Sequence, residues 1–122
     1  MTDTDKERYE DGLVKTLGCI KDLIRRRFQS LEVDFWDTSN GPFIRHPYYY
    51  IAEVRRKRWL RIIPVSLKKE ERNLILAAYL IFNADGTKEI NYKVFEPSIL
   101  KTVKKEFQKY AETFEVKSVK FI

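Results

Sequence analysis

Two apolar runs joined through Asp-Gly restrict this chain more than any other feature. Leu74 to Phe82 is nearly all apolar, Glu89 to Phe95 alternates, and Asn83-Ala84-Asp85-Gly86 lies between them. Asp-Gly supplies residues that tolerate positive φ, the backbone state that lets one strand fold back on another. The pattern predicts a β-hairpin. Its first strand is central and buried on both faces, and its second points Ile90, Tyr92 and Val94 inward. The alanines in the first run leave a helical reading of that run open.

An apolar hairpin needs a cover, and two helical patterns flank the strands. Leu13, Leu17, Ile20, Ile24 and Phe28 recur every three or four residues, so one apolar stripe runs along a helix from about Glu7. Residues up to about Lys6 are expected to fray. Arg25, Arg26 and Arg27 fall in the last turn, where cations suit the helix dipole; the other reading makes them an extension of a basic surface. Further on, Glu96-Pro97-Ser98 opens a second helix, with proline tolerated in its first turn. Ile99, Val103, Phe107 and Tyr110 form its stripe, and Lys101, Lys104, Lys105 and Lys109 its wet face.

Strands fill the space between. Leu31 to Asp37 alternates, with Leu31, Val33 and Phe35 on one side. Thr38 to Pro42 is a turn cluster. Tyr48 to Val54 is aromatic and β-branched, and Trp59 to Val65 reads as a further strand with Pro64 at its edge or end. Ser66 to Arg72 is a polar connection. Phe114 to Phe121 closes the sequence as a strand whose alternation slips at Ser118-Val119, as a bulge would make it do. The order is α-β-β-β-β-β-α-β. This is an α+β fold with a mostly antiparallel sheet of about five to six strands and both helices on one face. At 122 residues, with 43% hydrophobic and 34% charged content, the chain reads as a single domain over 1–122.

Function is less constrained. Net charge is +6, and residues 45–61 hold six cations against the single acid Glu53, so +5 of the excess sits in one stretch. Arg45, Arg55, Arg56, Lys57, Arg58 and Arg61 there lie beside Tyr48, Tyr49, Tyr50 and Trp59. Single-strand binders combine a basic groove with aromatic rings on which bases stack. These ten residues are therefore the candidate binding site, with nucleic acid as the leading ligand and an acidic protein as the alternative partner. In a strand, Tyr48 and Tyr50 share one face and Tyr49 takes the other. A purely structural account has the tyrosines packed and the arginines guarding a solvated edge. The protein-interaction alternative is an inhibitor, adaptor or assembly subunit of the kind that viruses and mobile elements encode. A homodimer is compatible with either reading.

Enzyme readings are weaker. Metal-dependent nucleases of the restriction type carry a helical Glu, then an Asp on one strand and Glu-x-Lys on the next. Glu10, Asp34 or Asp37, and Glu53 followed by Arg55 or Lys57 follow that order loosely, with arginine in the lysine position. His46 is the sole histidine, Cys19 the sole cysteine, and four scattered glycines form no phosphate loop. No catalytic residue, metal ligand or cofactor is assigned. The lone cysteine excludes an internal disulfide and suits a reducing, cytoplasmic setting. Leu74 to Phe82 is too short to span a bilayer as a helix, and MTDTDKERYEDG does not resemble a signal peptide.

Overall fold

A computed structural model describes residues 3–28, 30–37, 46–56 and 70–121. Helix α1 (Asp3–Ile24) continues into a short 3-10 turn, Arg25–Arg27. Strands β1 (Leu31–Trp36), β2 (Tyr48–Arg56), β3 (Glu70–Phe82) and β4 (Lys88–Val94) follow. A 3-10 turn at Pro97–Ile99 leads into α2 (Leu100–Phe114), and β5 (Ser118–Phe121) ends the description. The expected turn at 38–42 and strand at Trp59–Val65 lie outside the described residues.

The five described strands form one sheet in the order β1-β2-β3-β4-β5. The first three pairings are antiparallel and β4–β5 is parallel, so the sheet is mixed. The parallel pairing arises because α2 intervenes and carries the chain back along the sheet, as such pairings require. Both helices cover one face. Leu13, Leu17, Ile20 and Ile24 of α1 meet Val103, Phe107 and Tyr110 of α2 over Ile51, Leu76, Ala78, Ile90 and Tyr92. The two predicted stripes are thus the core. Opposite ends of the helices meet: Tyr110 donates to the Tyr9 carbonyl at 2.7 Å, and Arg27 donates to the Ser98 carbonyl at 3.1 Å. The helices therefore run antiparallel.

Several boundaries differ from the sequence pattern. α1 starts at Asp3, ahead of the expected Glu7. Glu70 to Arg72 belong to β3 instead of a polar connection, with Glu70 and Glu71 in register with Arg56 and Arg55. Phe114 ends α2 instead of opening β5. Glu115 takes a left-handed backbone (φ 55°), and Val116 donates to the Ala111 carbonyl at 3.0 Å, which stops the helix. β5 is correspondingly short and pairs in unbroken register. The irregularity lies elsewhere: between Ile51/Ala52 and Leu76/Leu74 the register shifts, with Ile75 as the extra residue.

The Asp-Gly turn closes as expected. The Gly86 N–H donates to the Asn83 carbonyl at 3.0 Å, and Gly86 adopts φ 86°. Asp85 accepts from the Thr87 N–H and hydroxyl, and the hydroxyl contact chiefly lowers its pKa.

Candidate nucleic-acid interface

The tyrosine triplet divides between the faces of the sheet as strand geometry dictates. Tyr48 and Tyr50 point away from the helices and are buried, 3% and 5% exposed, in a second apolar cluster with Ala52, Ala77 and Tyr79. Their rings lie 6.0 Å apart. Burial raises the pKa of Tyr48, with a smaller contribution from Tyr50. Tyr49 faces the helices, half-buried, with its ring 4.7 Å from that of Phe35. Burial raises its pKa too, followed by the charges of Glu10 and Asp11. All three rings are packed. Neither Tyr48 nor Tyr50 presents a stacking face to solvent.

The cationic part of the candidate site is only partly described. Arg45, Lys57, Arg58, Trp59 and Arg61 lie outside the described residues. Arg55 and Arg56 are placed by their backbone at the end of β2, in register with Glu71 and Glu70. What the fold adds is their neighbourhood. Val54 donates to the Ser30 carbonyl at 2.8 Å, which ties the end of β2 to the segment just after Arg25–Arg27. Arg27 in turn is joined to Ser98 at the entrance to α2. The start of the basic run, the arginine triplet and the first turns of α2 therefore occupy one end of the molecule.

A cleft of about 390 Å³ opens at that end, lined by Arg27, Phe28, Glu53, Asn73, Phe95 and Ser98 among others. Glu53 is 5% exposed on its floor, on the helix side of the sheet. On the opposite face Arg72 pairs with Glu32 at 3.3 Å and Asp34 at 3.7 Å, and its guanidinium reaches the Tyr50 hydroxyl at 3.4 Å. The acids of β1 thus hold Arg72 on the sheet.

The nuclease constellation does not assemble. Asp34 faces away from the helices, in register with Tyr50, whereas Glu53 faces them and Glu10 lies on α1 beside Tyr49. Among the described residues no cluster of three His, Cys, Asp or Glu is placed to hold a metal ion. His46 stacks flat on Tyr79, centroids 4.6 Å apart and planes 6° apart, and Tyr79 accepts from Asn91 at 2.8 Å. Cys19 is exposed on α1. Among the described residues no helix is long and apolar enough to cross a membrane.

Sequence reasoning weighed Arg25 to Arg27 as an extension of a basic surface but gave the lysines of α2 no place beside them. Arg25 to Arg27 and Lys101, Lys104 and Lys105 are more than seventy positions apart, and each group has an ordinary local explanation. The absence of any acid in the first turn of α2 was the available signal. No protein-family model matches the chain, and no curated protein or solved structure shows significant similarity to it.

Proposed function

We propose that this protein is a non-enzymatic binding module that holds nucleic acid by its phosphates, through the basic stretch from Arg45 to Arg61. The observation that carries this reading is the concentration of charge: +5 of the net +6 falls within those residues. A concentrated cationic patch attracts polyanions and releases their counterions on contact. The packing of Tyr48 and Tyr50 narrows the reading from base stacking to backbone contact, since a stacking platform requires exposed ring faces. Trp59 supplies the aromatic ring inside the cationic run itself.

The test is fluorescence anisotropy with single- and double-stranded DNA and RNA at two salt concentrations. Affinity should fall steeply as salt rises, and replacing Arg55, Arg56, Lys57 and Arg58 together by Ala should lower it by at least about tenfold while the fold is retained. Affinity indifferent to both salt and the substitutions would overturn the reading.

One observation favours a protein partner instead. β1 is an edge strand among the described residues, and Phe35 and Trp36 at its end are 44% and 40% exposed. Exposed edges with aromatic residues are places where another chain can add. This reading, with the protein as an inhibitor, adaptor or assembly subunit, requires a stoichiometric acidic protein in a pull-down that Trp36→Ala abolishes. Self-pairing through the same edge would appear as a dimer in sedimentation.

A further inference from the structure

We infer that the helix layer carries a second phosphate-contacting surface, formed by Arg25, Arg26, Lys101, Lys104 and Lys105, and that it extends the basic stretch across one end of the molecule. The inference rests on the nucleic-acid reading above and specifies which further part of the surface meets the backbone.

All five side chains are exposed. Among the described residues none of the five lies within salt-bridge distance of a carboxylate. Elsewhere, Arg72 pairs with Glu32 and Asp34, and Lys109 with Glu106 at 3.5 Å. Glu96, the acid at the entrance to α2, accepts from the Ser98 hydroxyl at 3.1 Å. Asp22 is the remaining exposed acid on the last turns of α1.

The three lysines are placed against the local electrostatics. Lys101 falls in the first turn of α2, the positive end of its dipole, where cations are disfavoured and acids are preferred, and Lys104 and Lys105 follow in the second turn. Lys101 also stands at i,i+3 and i,i+4 to the other two, spacings at which like charges repel. Helix stability gives no reason for this arrangement. Arg25 and Arg26 are different, because the end of a helix favours cations. The link from Arg27 to Ser98 places the two groups at the same end of the helix pair, and the Val54–Ser30 bond places the end of β2 there too. Like charges gathered from distant parts of a chain, and left unpaired there, are complementary to a polyanion. A nucleic-acid backbone supplies that complement as a row of phosphates, without any requirement for base contacts.

Two variants separate this surface from the parent reading: Lys101/Lys104/Lys105→Ala, and the substitution of Arg55, Arg56, Lys57 and Arg58 by Ala. Lys6→Ala, at the far end of α1, is the control. Anisotropy titrations with a duplex DNA over a salt series should show the lysine variant weakened. The slope of log K against log salt should drop by roughly one for each lysine that meets a phosphate, about two to three in all. Circular dichroism should show the fold intact, and Arg25/Arg26→Ala should reproduce the loss from the other helix. If the basic-run variant loses binding while the lysine and arginine variants keep wild-type affinity and slope, the second surface is wrong and the parent reading stands. If the wild type binds no nucleic acid, both fail. Binding of the wild type to anionic phospholipid vesicles alone, lost in the lysine variant, would overturn the nucleic-acid assignment in favour of a membrane surface.

Discussion

At the scale of single residues, the tyrosines decide how the basic stretch is read. Tyr50 is 5% exposed, flanked by Tyr48 and within reach of Arg72. Tyr50→Ala should cost about 3 kcal/mol or more, the usual range for emptying a large buried aromatic site. Tyr50→Phe keeps the ring and should leave nucleic-acid affinity unchanged. Denaturant titration and anisotropy on the same two proteins check this, and a loss of affinity in the stable Phe variant would return Tyr50 to the binding surface. Tyr110 gives a pH signature. Burial chiefly, with the neighbouring Tyr9 and Glu10, raises its pKa from the ordinary 10.0, and its hydroxyl donates to the Tyr9 carbonyl. The folded state holds that proton more tightly than the unfolded chain does. The associated stability is complete below the unfolded value and is lost as pH rises above it towards the folded value. Urea midpoints should therefore fall above about pH 10, and less steeply in Tyr110→Phe. An identical alkaline fall in both proteins would remove Tyr110 as the cause.

At the scale of elements, two glycines on α1 make opposite predictions. A Cβ at Gly12 would stand 2.5 Å from the Phe114 ring and 3.0 Å from that of Tyr110, because α2 passes there. A Cβ at Gly18 meets nothing within 4 Å. Gly18→Ala should stabilise by roughly 0.5–1 kcal/mol, from helix propensity alone. Gly12→Ala gains the same propensity but forces the helices apart, at about 1–3 kcal/mol. Thermal melts of the two variants should move in opposite directions. The helices themselves were legible in the sequence because Leu13, Leu17, Ile20 and Ile24, and later Val103, Phe107 and Tyr110, keep a helical period that only a buried face explains. The faces of Tyr48, Tyr49 and Tyr50 were legible from period two. The start of β3 was not, because Glu70, Glu71 and Arg72 carry no apolar alternation, and only the opposed Arg55 and Arg56 mark them as a ladder. Nor was the role of Ile75, since an extra residue in one strand reverses which side chains face inward beyond it. The candidate site was legible as a count of charges along the chain. That the first turns of α2 lie at the same end was not, because proximity across the fold leaves no trace in spacing.

At the scale of the whole molecule, the arginine triplet and the first lysines of α2 share one end of the fold. The basic end gathers the close of α1, the end of β2 and the start of α2. The opposite end mixes signs: Glu7, Glu10, Asp11, Asp85, Glu112 and Glu115 lie there with Lys6, Arg8, Lys88 and Lys117, and Lys88 lies 4.1 Å from the centroid of Tyr9 and Arg8 5.8 Å from that of Phe114. The strand order carries a different consequence. β1 to β4 lie side by side in the order in which they are made, each joined to its neighbour by antiparallel pairing, whereas β5 can pair with β4 only after α2 has crossed between them. Chain synthesis therefore makes all four antiparallel strands before α2 and β5. β5 is made last, and its place beside β4 depends on α2 lying across the sheet against α1.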